Sequence, residues 1–379
     1  MVTTPSAVSL PFQSILNNYS HVVLATGCSS PRLHEALPKS PYCIPALSLV
    51  HWYTKHPNTS PPPPLDKVSH VSIIGNGNVS MDVARMLLTD PEALSQYDIP
   101  EPVLDVFYRS TVKHVSIIGR RGVLDAAFGI KELREMINLP DASMVPLDPS
   151  LLISPQQTPI RRKIKILDLL RKGSKNPFGT TSKTWSFDFF RSPIGLVPPT
   201  KNSSAQLSLS HTTLDPETGR AVPTEETSTL PTDLVITSLG FHGEPRISFY
   251  DRELGHLRNV SGRITHQDGT IYKNVYASGW AGTGAKGVLA LTLGNAHQVA
   301  DTIIRDWVTD GQDKASNLDE PPEEVQMALK EGLVTSYADW KKIDEEEMRR
   351  GNVIEKERER MGWDQASKFL IKSSTLQDD

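Results

Sequence analysis

HVSIIGNGNVSMDVARMLL, residues 70–88, decides the fold. Val71, Ile73 and Ile74 make a short apolar strand, Gly75 and Gly77 allow a tight turn, and Asn78 to Leu88 opens a helix. That order suits a nucleotide pyrophosphate. The glycines let the backbone come close, and the helix's first N–H groups and positive dipole end face the anion. The third position of the G-x-G-x-x-G pattern is Ser80, small but not glycine. The pattern by itself is weak, and the strand before it and helix after it are the context the fingerprint requires. A glycine turn that holds no ligand is the plainer alternative.

A second stretch bears on which dinucleotide. KHVSIIGRRG, residues 113–122, nearly repeats SHVSIIGNGN but ends in Arg120 and Arg121. In a βαβ unit the second strand ends beside the adenosine ribose, where an acid accepts from a 2′-hydroxyl and arginine pairs with a 2′-phosphate. No Asp or Glu lies between Val112 and Leu124, which favours NADP(H) over NAD(H). A solvated arginine pair at a strand end remains open on these residues alone. The separation of Gly75 from Arg120 exceeds the roughly 20 residues of a minimal unit, so Thr89 to Pro102 is expected to be a looped-out insertion.

Several motifs extend the reading: GNGNVSMDVARMLLTDPEAL, VSIIGRRGVLDAAFGIKELREMINLP, FFRSP at Phe189–Pro193, VITSLGF from Val235, VYASGWAGTGAKGVLALTL from Val275, and SYADWKKIDEEE near the C-terminus. In these the chain resembles the adrenodoxin reductase type of ferredoxin–NADP reductase from about Asn18 onward. The resemblance implies an α/β fold of two dinucleotide-binding, Rossmann-like domains of the FAD/NADP-linked reductase type. It implies an oxidoreductase that takes hydride from NADPH and passes single electrons through FAD to an acidic [2Fe-2S] ferredoxin.

Carried over by motif, the resemblance assigns Gly75, Asn76, Gly77, Asn78 and Val79 to the NADP pyrophosphate turn, Arg120 and Arg121 to the 2′-phosphate, and Glu132 to another NADP contact. Trp280, Gly287, Val288 and Leu289 match flavin positions, with Gly287 also near the nicotinamide. Asp82 matches an aspartate that handles protons beside the flavin. Thr283 and Lys286 depart from the family pattern, which commonly has arginine and threonine there. The family opens on its own strand–GxGxxG–helix for the FAD diphosphate. This chain joins the pattern at YSHVVLATG, residues 19–27. About a hundred residues of the first, FAD-binding half are thereby expected to be missing. The expected domains are 1–28, a remnant of the FAD domain; 29–244, the NADP domain; and 245–379, the rest of the FAD domain with a helical tail. An NADP-binding protein without flavin turnover is the alternative reading.

PIRRKIKILDLLRKGSK, residues 159–175, has seven basic residues and one acid. At helical period Arg161, Lys165 and Lys172 share a side, flanked by Arg162 and Lys175, with Ile164, Leu167 and Leu170 turned away. A positive stripe steers an acidic carrier. With the matching family helix it nominates Arg161, Arg162 and Lys165 for ferredoxin docking, against the alternative of a merely solvated helix.

Composition fits these expectations. The chain has 379 residues, 38% hydrophobic and 22% charged, enough for two domains with a real core. A net charge of −4 argues against a broadly basic nucleic-acid binder. Cys28 and Cys43 lack metal or CxxC spacing and read as structural or incidental. No GxSxG or HExxH occurs, so neither a nucleophile elbow nor a zinc hydrolase is indicated. No apolar run reaches membrane-span length, and peripheral association with an inner membrane is left open by the resemblance. Met1 to Pro31 holds no Lys or Arg, unlike an arginine-rich transit sequence. The mitochondrial, matrix-side location is therefore implied by the resemblance alone.

Overall fold

The computed structural model describes residues 10–153, 161–200, 203–287, 289–310 and 320–375. They form two compact units. Named only for their order along the chain, the inner unit holds 33–239 and 341–375, and the outer holds 10–32 and 240–340.

In chain order the inner unit contains β1 (Cys43–Pro45), α1 (Ala46–Tyr53), β2 (His70–Ile74), α2 (Asn78–Leu88), α3 (Pro91–Ser95), α4 (Glu101–Tyr108), β3 (His114–Gly119), α5 (Ile130–Ile137), β4 (Ala142–Met144), α6 (Arg161–Lys172), β5 (Lys183–Phe189), β6 (Arg191–Val197), β7 (Ala205–Leu214), β8 (Ala221–Thr232) and β9 (Leu234–Thr237). Six strands make one sheet in the order β1-β9-β2-β3-β5-β4, and every pair is parallel. Such a sheet is covered on both faces. Val71, Ile73, Val115, Ile117, Trp185 and Phe187 bury one face in the main core. Ile74, Ile118 and Val235 on the other face join Leu207 and Leu209 of β7, the middle strand of the antiparallel trio β8-β7-β6.

One expectation changes here. Thr89 to Pro102 is not a plain loop. Asp90 caps α3 by accepting from Glu92 N–H (2.8 Å) and α4 begins at Glu101, burying Leu94, Val103, Leu104 and Phe107 in the core. Between α6 and β6 lies β5, whose Trp185, Phe187 and Phe189 alternate into the core. The charged run 344–360 is tied to the rest of the inner unit. Glu347 and Lys356 are buried, Lys356 pairs with Glu101 and donates to Ile99 O (3.0 Å), and Arg360 pairs with Asp98 at 3.1 Å. Burial of these charges is tolerated because each has a partner.

In the outer unit Val22–Leu24 pairs parallel with Ile271–Ala277, which continues antiparallel to Arg263–Thr265 and then Asn259–Val260. The helix Leu289–Asp310 is fixed to this sheet by a bidentate pair, Arg263 Nε and Nη2 to Asp306 at 2.7 and 2.6 Å, with Tyr276 OH at 3.1 Å. Among the described residues no helix is long and apolar enough to cross a membrane.

Candidate dinucleotide site

The site of the inner unit begins where β2 stops. Gly75 has φ +121, and a Cβ there would overlap the carbonyl oxygen of Ser238 just past β9. Its N–H donates to Ile118 O of β3 (2.8 Å), so the turn is locked between two neighbouring strands. Gly77, the N-cap of α2, is extended (φ −97, ψ −179), and a Cβ on it would meet nothing within 4 Å. The two glycines therefore serve different ends: Gly75 fits the sheet, and Gly77 leaves open space at the helix start.

Asn76 accepts through its carbonyl from Ala127 and Phe128 N–H (3.2 and 3.1 Å), while its Nδ2 is buried with no partner among the described residues. A buried amide donor left unpaired costs free energy unless something outside the chain accepts from it. Asn78 Oδ1 accepts from Gly129 N–H (2.7 Å), joining the start of α2 to the start of α5. This side chain braces the turn, and the unpaired amide at the site is that of Asn76.

Arg120 and Arg121 follow β3 directly, Arg120 exposed and Arg121 half-buried. Among the described residues neither guanidinium has an ion-pair partner, while the Arg120 carbonyl accepts from Thr212 Oγ1 (2.8 Å). Glu132 folds its carboxylate back over Gly129 at the start of α5. Asp82 lies on α2, paired with Arg85 at 3.0 Å, and Arg85 also pairs with Glu135 of α5. Burial pushes the Asp82 carboxyl above its ordinary range, Arg85 and Lys131 pull it back, and Glu132 adds to the rise.

Helix α6 buries Ile166, Leu167 and Leu170. Ile164, expected inward, is 40% exposed, because the buried stripe runs through Ile166 instead. Arg161, Arg162 and Lys165 are exposed, and Arg162 Nη2 also donates to Phe128 O (2.7 Å). Lys165 lines a shallow concavity with Lys131 and Arg134 of α5. Sequence reasoning did not single out those two cations, although KELR places them three apart on one helix face.

In the outer unit the chain turns after Ile271–Ala277 at Gly279 (φ +63), whose N–H donates to Asn295 Oδ1 (2.7 Å). A short helix, Trp280–Thr283, follows. Trp280 Nε1 is buried with no partner among the described residues, and Trp280 O accepts from Cys28 Sγ at 3.2 Å. Gly287 (φ +83) precedes the helix Leu289–Asp310, whose Leu289 is 84% exposed. Val288 lies outside the described residues. Burial raises both thiols, that of Cys43 to about 11, as for cysteines in apolar surroundings.

No family model matches the chain. It is 35% identical over 367 residues to the human mitochondrial NADPH:adrenodoxin oxidoreductase, covering 90% of this chain and 72% of that protein. It is 31% identical over 341 residues to the NADPH-ferredoxin reductase FprA of Mycobacterium tuberculosis, covering 86% and 73%. The structure of M. tuberculosis FprA in complex with NADPH superposes with a TM-score of 0.81 at 28% identity, over 95% of this chain and 80% of that one. The α/β architecture is thus that of FAD/NADP-linked reductases built from Rossmann-like domains. On sequence and structure alike, the chain belongs to the family of NADPH:adrenodoxin oxidoreductases and FprA-type NADPH–ferredoxin reductases.

Proposed function

We propose that this chain passes electrons from NADPH through FAD to an acidic [2Fe-2S] ferredoxin. One observation carries the nucleotide part: a glycine turn with a buried, unpaired Asn76 amide beside two guanidinium groups that lack any carboxylate partner among the described residues. An anion with a diphosphate and a separate phosphate monoester satisfies both features. In this reading Gly75 to Val79 hold the pyrophosphate, Arg120 and Arg121 hold the 2′-phosphate, and Glu132 contacts the bound NADP.

The outer unit fits a flavin by its own orphan, the buried Nε1 of Trp280. Trp280, Gly287, Val288 and Leu289 would hold FAD, which when bound supplies the exchange between a two-electron hydride donor and a one-electron acceptor. Asp82 is assigned to proton handling, which its raised affinity for a proton favours. Arg161, Arg162 and Lys165, with Lys131 and Arg134, form the cationic surface for the ferredoxin. The matrix side of the mitochondrial inner membrane is the proposed location, supported by the mitochondrial relatives.

The test is an absorption spectrum of the purified chain, followed by NADPH-driven reduction of a ferredoxin and calorimetric binding of NADP+ and NAD+. A yellow protein that reduces ferredoxin and prefers NADP+ supports the proposal. A colourless protein that still prefers NADP+ leaves nucleotide binding alone. Replacing both arginines, Arg120→Gln with Arg121→Gln, erases the preference; unchanged discrimination rejects the phosphate role.

A further inference from the structure

The motif FFRSP, residues 189–193, has so far been given no role at the site. Its place in the sheet gives it one. β3 and β5 are parallel neighbours, and their register pairs Gly119 with Phe189. The next residues of each strand, Arg120–Arg121 and Phe190–Arg191, therefore leave the same edge of the sheet side by side. This is the carboxyl edge, where open parallel sheets take their ligands.

Three contacts hold the two exits together. Thr212 N–H donates to Phe190 O (3.0 Å), and Thr212 Oγ1 donates to Arg120 O (2.8 Å). The Phe190 ring lies against Gly122, where a Cβ would be 2.5 Å from Cζ. Phe190 reaches this position with a left-handed backbone, φ +55. That conformation is costly for a bulky side chain and persists only where surrounding structure enforces it. The strain is spent on fixing the chain just after the arginine pair and on aiming the residue that follows.

That residue is Arg191. It is half-buried, its Nη1 donates to Phe190 O (3.0 Å), and it has no ion-pair partner among the described residues. It lines a cavity of about 610 Å³ with Phe190 and Thr212. Two acids, Glu225 and Glu226, stand on the same cavity; Glu226 is engaged by His211 Nδ1 at 2.9 Å, and Glu225 is exposed and screened by water. A partly desolvated guanidinium with free N–H groups is a phosphate ligand by geometry and hydration.

We propose that Arg191 is a third cation of the 2′-phosphate site, and that Phe190 is the positioning residue that holds it at the sheet edge from which Arg120 and Arg121 emerge. The inference rests on the NADP reading above. It assigns the adenosine-phosphate end of the coenzyme to the edges of two adjacent strands rather than one.

The test measures calorimetric affinity for NADP+, NAD+ and 2′,5′-ADP with the full chain. Arg191→Gln weakens NADP+ and 2′,5′-ADP about tenfold, the loss of one charge-assisted contact, and leaves NAD+ unchanged. Arg191→Lys, which keeps the charge, retains part of the preference. Phe190→Ala lowers the NADP+/NAD+ ratio, and Phe190→Tyr, which keeps the ring, restores it. No change with Arg191→Gln, or an equal loss toward both coenzymes, overturns the assignment, as does failure of Phe190→Tyr to restore the ratio. The paired Arg120→Gln and Arg121→Gln variant separates the two levels: if it loses discrimination while Arg191→Gln does not, only the third cation is refuted. If neither variant changes discrimination, the parent reading falls with it.

Discussion

Gly75 and Gly77 stand two residues apart in one motif, yet alanine at each should fail differently. Gly75→Ala places a methyl group against the Ser238 carbonyl and forces φ +121 on a residue with a Cβ. The backbone term alone is about 1–3 kcal/mol. Relief by moving Ser238 disturbs the end of β9, because Ser238 N–H donates to Ile74 O (2.8 Å) and Thr237 pairs with Ile74 in the sheet. Overpacking of that kind adds roughly 1–3 kcal/mol. A total near 4 kcal/mol corresponds to a Tm about 8–16 °C lower for a unit of this size. Gly77→Ala has an ordinary φ and no neighbour within 4 Å of the new methyl. Stability should hold to within about 0.5 kcal/mol, while NADP+ affinity falls at least about tenfold because the methyl occupies the space of the pyrophosphate. Chemical unfolding and titration calorimetry on both variants decide the matter. If Gly77→Ala destabilises as much as Gly75→Ala, or binds NADP+ as the parent does, the division of labour is wrong.

Three further outcomes are expected. Burial, with a smaller push from His70, holds His114 down to about 4. The unfolded chain, with a histidine near 6.5, thus binds more protons between those values, and stability is lost as pH falls through that window. After discounting for partial exposure the loss is about 1–2 kcal/mol. Unfolding at pH 7.5 and 5 should show a shallower pH slope for His114→Gln, and an identical slope refutes it. In the outer unit, Asp306→Asn breaks the bidentate pair with Arg263 and should cost about 1–2 kcal/mol, read as faster hydrogen exchange in the helix 289–310; unchanged protection removes its anchoring role. Reversing charge with Arg161→Glu and Lys165→Glu should slow ferredoxin reduction about tenfold at low salt and flatten its ionic-strength dependence. If the salt dependence survives, docking lies elsewhere.

The strands legible in the sequence were those with a local signature. HVSII occurs twice, and both copies are strands; the glycine turn and α2 follow as their residues dictate. The strand TWSFDFF has an equally plain alternation, but no glycine turn or repeated copy marks its place in the sheet. Nothing local says that β9 inserts between β1 and β2. That order depends on contacts such as Asp233, whose carboxylate accepts from Ser69 and His70 N–H at 2.8 and 2.9 Å across more than 160 positions. The site was legible in the same uneven way. Motifs nominated Asn76 and the arginine pair, whereas the bracing by Asn78, the inward turn of Ile166 and the closeness of Arg134 to Lys165 arise only when helices pack.

The repeated strand has a consequence beyond marking a βαβ unit. Parallel pairing in register sets His70 beside His114 and Ser72 beside Ser116, and the next strand adds Thr184 and Ser186. A polar ladder therefore crosses the sheet on the face opposite Val71, Ile73, Val115 and Ile117. Its members satisfy one another: Ser116 Oγ lies 2.9 Å from His70 Nε2 and 3.2 Å from His114 Nε2, and His114 Nδ1 lies 2.8 Å from Thr184 Oγ1. A one-residue slip of β2 against β3 would break these bonds and turn the apolar positions to the wrong face. The polar residues thus specify the register that places the exit of β2, with Gly75, next to the exit of β3, with Arg120 and Arg121. The geometry of the candidate phosphate site is set by histidines and serines at the far end of the same strands.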